Sequence, residues 1–165
     1  MMGMQAVRRN ATRGLVVLAG LFAAAAGAQK AKDAPVNAKP LEGTWTQVER
    51  EGKGYVIRQY CDSTTPGFKL QPNGDWWMNY GQDDESLKVT ALKPGATAGA
   101  YTLELTRPGG AKEKVEWTVA DAKKGIARLK GGKDSFFRDG MLFVREDKKA
   151  VLPVRSEKCD EEEEQ

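Results

Sequence analysis

The chain has 165 residues, with 26 Lys and Arg against 23 Asp and Glu, two cysteines and no histidine. Without imidazole, Ser-His-Asp triads, histidine general bases and histidine-ligated metals are excluded. The net charge of +3 offers no concentrated basic surface for nucleic acid, and the three bases Arg8, Arg9 and Arg13 account for all of it.

Residues 1–28 read as a cleaved secretory signal. The basic opening is followed by the uncharged run Leu15 to Gly27, and Ala26-Gly27-Ala28 places small residues where a signal peptidase cuts, before Gln29. The apolar run is 13 residues long. A membrane-spanning helix needs about 20, so no span is expected after cleavage, and the expected location is periplasmic or extracellular. The remaining 137 residues carry 23 charges of each sign and suffice for one domain. Residues 29–40 (QKAKDAPVNAKP) are polar and aperiodic, a flexible lead-in, and the folded domain is expected over 41–159. The acidic end, 160–165, is a solvating tail. Cys61 and Cys159 both fall in the exported part, where two cysteines most often pair. Free thiols or an intermolecular bridge are the alternatives.

From Leu41 the apolar residues recur with a period of two, the mark of strands with one buried and one wet face. Nine strands are expected: 43–49, 55–60, 67–71, 75–80, 86–92, 99–107, 113–119, 125–130 continued by 134–138, and 141–146. A further short strand over 151–154 would be held to an edge by Pro153. Pro72-Asn73-Gly74 and Asp139-Gly140 supply hairpin turns, and Pro108-Gly109-Gly110 and Gly131-Gly132-Lys133 mark two more. Neighbouring strands joined by short turns favour an all-β, antiparallel up-and-down barrel of about eight or nine strands.

Leu41-Glu42-Gly43-Thr44-Trp45 resembles the G-x-W opening strand of lipocalins and related calycin barrels, and avidin-like barrels open in a similar way. The pieces Phe68 with Asn73-Gly74-Asp75-Trp76, and Gly99-Ala100-Tyr101, are similar to small bacterial lipocalin-like secreted domains. That resemblance implies a disulfide Cys61–Cys159 that pins the C-terminal segment against the barrel. It also implies that Arg145 packs over Trp45, and that a small apolar or amphipathic ligand binds inside.

No catalytic residue, metal site or cofactor is expected. Asp83-Asp84-Glu85 is a tight acid cluster, but it lacks the alternating ligands and the glycine of a calcium loop. Trp76 and Trp77, adjacent in a strand, must face opposite sides. Alternation puts Trp76, Met78, Tyr101, Leu103, Val115, Trp117 and Phe143 inward. All of these but Val115 are the candidate ligand-binding residues, although their bulk favours a filled interior. Trp77 and Tyr55 are the candidate outer interaction patch. The expected function is a non-enzymatic, exported binding domain for a small apolar or amphipathic molecule. The alternative is an exported protein-interaction module, an inhibitor or envelope accessory factor, with a filled core.

Overall fold

The structure is a computed structural model, and it describes residues 36–159. The expected signal, most of the lead-in and the acidic tail lie outside the described residues. Among the described residues no helix is long and apolar enough to cross a membrane.

The described residues fold as ten strands and two short 3-10 helices. They are η1 (Lys39–Leu41), β1 (Gly43–Glu51), β2 (Gly54–Gln59), β3 (Gly67–Leu70), β4 (Asp75–Asn79), β5 (Asp84–Pro94), β6 (Tyr101–Thr106), β7 (Lys112–Asp121), β8 (Ile126–Gly131), β9 (Met141–Arg145), η2 (Glu146–Val151) and β10 (Val154–Ser156). Strands β1 and β3 to β9 form an antiparallel wall that closes through a β1–β9 ladder, an eight-stranded barrel, and β2 and β10 lie outside it. Alternation made this wall legible. β4 runs exposed, buried, exposed, buried, and β7 buries Val115 and Trp117 while exposing Lys114, Glu116 and Thr118. Closure requires curvature, and register shifts between Val89 and Ala91 and between Val119 and Asp121 mark two bulges that supply it.

The wall departs from a plain meander at β2. The first residues of β1 hydrogen-bond to β3, the middle pairs with β9, and only Glu49 to Glu51 pair with β2. Both edges of β1 are thus occupied within the barrel, so β2 is displaced outward. β10 joins β2 in parallel, with Val154 opposite Ile57. It starts after Pro153 rather than before it, because Glu146 to Val151 coil into η2. The bond from Ile57 N to the Pro153 carbonyl shows the proline in an acceptor role, where its missing N–H costs nothing.

Two apolar clusters result. The larger one fills the barrel with Trp45, Phe68, Trp76, Met78, Leu103, Trp117, Phe143 and their neighbours. The smaller one lies outside the wall: Val48, Ile126 and Val144 face outward from β1, β8 and β9 and are covered by Tyr55, Ile57 and Leu152. The segment of η2 and β10, a strap ending beside β2, is fastened by the disulfide Cys61–Cys159, whose Cα atoms are 5.5 Å apart across 98 residues of sequence. No free cysteine remains.

The segment 134–138, expected to continue β8, is not a strand. Residues 132–140 form consecutive turns, with Gly140 N bonded to the Phe137 carbonyl at 2.9 Å and Gly131 N to the same carbonyl at 3.0 Å. Phe136 and Phe137 explain the departure. Phe137 is fully buried against Trp76 and Phe143, while Phe136 packs edge-on to Tyr80, so the segment drops a side chain into the barrel end instead of extending its wall. Asp139-Gly140 therefore closes a loop and does not join two strands. The Pro72-Asn73-Gly74 turn does join β3 to β4: Gly74 has φ +87°, and a Cβ there would lie 2.7 Å from the Val89 carbonyl oxygen.

Candidate functional site

The barrel interior is occupied by interlocking rings. Phe68 lies at its centre, with ring centroids 4.5 Å from Trp76, 5.0 Å from Phe143 and 5.9 Å from Trp45, and Trp45 meets Trp117 edge-on at 4.7 Å. Of the sequence-predicted ligand-binding residues, Trp76, Met78, Leu103 and Phe143 are buried in this packing. Two buried polar atoms, Trp76 Nε1 and Thr106 Oγ1, have no hydrogen-bond partner among the described residues. Both barrel ends carry plugs. At one end Ala38 and Leu41 of the η1 segment are buried, with Ala38 N bonded to the Pro72 carbonyl and Trp45 Nε1 donating to the Leu41 carbonyl at 3.2 Å. At the other end stands Phe137.

Tyr101 and Trp117, the other two predicted ligand residues, line an open hollow of about 280 Å³ beside η1. Its remaining walls include Leu41, Trp45, Val119 and Ile126, and its charged side chain is Arg145. Each has a local reason to be there. Trp45 and Arg145 are register partners across the β1–β9 closure, which places both at this end of the barrel. A Cβ on Gly43 would lie at ordinary contact distance, 3.6 Å from Trp45 Nε1 and 3.8 Å from Arg145 Cγ, so it is the backbone, with φ +141°, that favours glycine at the start of G-x-W. The bulge at Val119 leaves that side chain 48% exposed on the rim instead of buried in the wall. Gly99, with φ +77°, passes so close to Val119 that a Cβ would stand 2.9 Å from its Cγ2. The sequence reading missed Leu41, Val119 and Arg145 as hollow residues. A bulge and a plug both break the alternation that it followed.

Arg145 donates to both carboxylate oxygens of Asp147, at 2.6 and 2.7 Å, and this pairing holds the Asp147 carboxyl below its usual range. The hollow thus presents apolar walls and one rim cation whose charge is already partly answered.

The predicted outer patch is divided. Trp77 is 45% exposed on β4, as expected. Tyr55 is a correction: it is buried in the outer cluster between β2 and the barrel wall, with the Arg50 guanidinium 5.6 Å and the Lys124 ammonium 5.3 Å from its ring centroid. Three consecutive buried residues, Tyr55 to Ile57, break the simple alternation in β2.

The acids Asp83-Asp84-Glu85 disperse into structural roles. Asp83 accepts the Tyr80 N–H through its carbonyl, Asp84 pairs with Asn79 in the ladder, and Glu85 accepts from the Tyr80 hydroxyl at 2.6 Å and from Arg107 at 2.5 Å. Arg107 also reaches Glu113 at 3.1 Å. Burial, then the hydrogen bond to Glu85 and its charge, push the Tyr80 hydroxyl up to about 12. A free tyrosine ionises near 10, so the unfolded chain releases this proton first. The stability contributed by neutral Tyr80 is complete below about pH 10 and is lost as pH rises toward about 12. Ultraviolet titration should show a tyrosine absorbing only near pH 12, missing in Tyr80→Phe; ionisation of every tyrosine near pH 10 would contradict this network.

Compared with protein-family models, characterised proteins and solved structures, the chain has no match.

Proposed function

We propose that this chain is an exported, non-enzymatic binding protein of lipocalin-like design. Its ligand is a small apolar or amphipathic molecule seated in the hollow beside η1. The observation that carries the reading is the hollow itself: an open, apolar, aromatic-walled depression with a single cation on its rim. This moves the ligand from the barrel interior, where Phe68 and its neighbours occupy the space, to the barrel end. Of the residues expected to bind the ligand, Trp117 and Tyr101 are common to both positions. Export is supported by the signal-like N-terminal sequence and by the disulfide, which persists in oxidising compartments.

The test is a fluorescence titration with 8-anilinonaphthalene-1-sulfonate, an amphipathic anion small enough for the hollow. The folded protein should enhance its emission saturably, and Val119→Glu, which places a carboxylate on an already exposed rim position, should weaken binding at least about tenfold. No enhancement by the wild type, or equal binding by Val119→Glu, would sink the proposal.

A second reading has its own support. The filled, doubly plugged barrel is a rigid scaffold, and its outer wall carries an exposed tryptophan. In that reading the working surface is the wall around Trp77.

A further inference from the structure

We infer that Asn73 is a latent modification site: its side-chain amide can cyclise onto the Gly74 nitrogen, Asp75 holds that step back, and conversion to isoaspartate unfastens the segment that plugs one end of the barrel. This goes beyond ligand binding and depends on neither reading of it.

An asparagine is most exposed to this chemistry when glycine follows it, because glycine has no Cβ to crowd the attacking nitrogen. Of the asparagines Asn10, Asn37, Asn73 and Asn79, only Asn73 precedes a glycine. The turn itself fixes that pair, since Gly74 has φ +87° and no room for a Cβ beside the Val89 carbonyl. Asp139 also precedes a glycine, but a carboxylate is a far poorer electrophile than an amide. In the reaction the Gly74 nitrogen bonds to Asn73 Cγ, and the side-chain nitrogen leaves as ammonia, taking the proton that Gly74 gives up. Asn73 is exposed, so water can then open the ring. Opening at one carbonyl gives aspartate. Opening at the other gives isoaspartate, in which the main chain runs through the former side chain and gains a carbon.

The folded turn resists the cyclisation. Asn73 Oδ1 accepts the Asp75 N–H at 3.0 Å and Asn73 Nδ2 donates to Asp75 Oδ2 at 2.7 Å, so both ends of the amide are clamped on Asp75. Lys88 Nζ braces the other carboxylate oxygen at 2.5 Å, and hydrogen bonds from Lys88 and then Asn73 hold the Asp75 carboxyl below its usual range. The nucleophile is engaged as well, its N–H donating to the Gln71 carbonyl at 2.9 Å. Cγ must turn away from Asp75 before Gly74 can reach it. The same turn is an anchor. On one side its Gly74 carbonyl accepts Val89 N at 2.8 Å, and on the other its Pro72 carbonyl accepts Ala38 N at 2.9 Å. From Ala38 the chain of bonds continues: the Ala38 carbonyl accepts Leu41 N at 2.9 Å, and the Leu41 carbonyl accepts Trp45 Nε1 at 3.2 Å. Gly74 is seated against Val89 without slack, so an added main-chain carbon is taken up toward Pro72, and the bond to Ala38 is the first lost.

The experiment incubates the full chain at mildly alkaline pH, both folded and in urea with the disulfide intact. Peptide mapping then follows the mass gain of amide-to-acid conversion and the appearance of isoaspartate. In urea Asn73 should convert ahead of Asn37 and Asn79, and much faster than in the folded wild type. Folded Asp75→Ala should convert about tenfold faster than the wild type, the effect of losing one hydrogen bond to a charged acceptor. Lys88→Met, a change at a half-exposed side chain that leaves the clamp without its brace, should convert severalfold faster. In the isoaspartate product amide exchange should rise at Ala38 and Leu41 while β6 and β7 keep their protection. Earlier conversion of Asn37 or Asn79 in urea would overturn the assignment of the site. Equal rates folded and in urea, or folded variants no faster than the wild type, would overturn the guarding role of Asp75. Unchanged exchange at Ala38 in the isoaspartate product would overturn the link to the plug.

Discussion

Phe68→Ala is expected to destabilise the domain by about 3–5 kcal/mol, at least about a fifth of the roughly 5–15 kcal/mol that hold a domain folded. Phe68 has four aromatic partners within 6.1 Å: Trp45, Trp76, Trp117 and Phe143. These come from β1, β4, β7 and β9, so the ring touches opposite sides of the barrel at once. Closed ladders cannot slide inward to fill a void without breaking register, and the cavity term should stay near its full value. Urea denaturation followed by tryptophan fluorescence would show a lower midpoint with an unchanged slope. Val154→Ala, an equally apolar change at a 54% exposed position, should shift the midpoint little. A small effect of Phe68→Ala would mean that the interior has room to relax, and the claim that it is filled would fail.

The second large effect is expected at the disulfide. Replacing Cys61 and Cys159 by serine should cost about 2–5 kcal/mol, because the bridge closes a loop of nearly the whole domain in the unfolded chain. The loss should be uneven. The strap of η2 and β10 exposes most of its side chains, and of its residues only Leu152 is buried in the outer cluster. Without the bridge, amide exchange should rise first in β10 and in the β2 residues paired with it, Ile57 to Gln59. β6 and β7, paired on both sides within the wall, should keep their protection until global unfolding. Simultaneous loss of protection in β7 and β10 would show that strap and barrel are one cooperative unit.

The barrel was legible because alternation carries through its wall: Tyr101 to Thr106 and Val115 to Thr118 declare both the strand and its inward face. The turn at Pro72-Asn73-Gly74 was equally plain. Three features escaped the same reading for physical reasons. β2 looks like any other strand in sequence, and only the double occupancy of β1 by β3 and β9 sends it outside. The segment around Phe136 and Phe137 has strand-like composition, yet its side chains are used as a plug. The hollow draws on a plug (Leu41), a bulge (Val119) and the end of β9 (Arg145), positions that no periodic pattern groups. Of the predicted site residues, the structure brings Tyr101 and Trp117 to that hollow, keeps Trp77 on the outer wall and withdraws Tyr55 into the outer apolar cluster.

The central claim is that ligand is held at the barrel end and not inside the barrel. Native mass spectrometry of the protein purified from its own host tests this most directly, sprayed first under gentle and then under denaturing conditions. The account predicts an adduct on the wild type that is lost on denaturation and absent from Val119→Glu. An adduct retained by Val119→Glu would place the ligand elsewhere, and a bare wild-type monomer would contradict ligand binding at the hollow altogether.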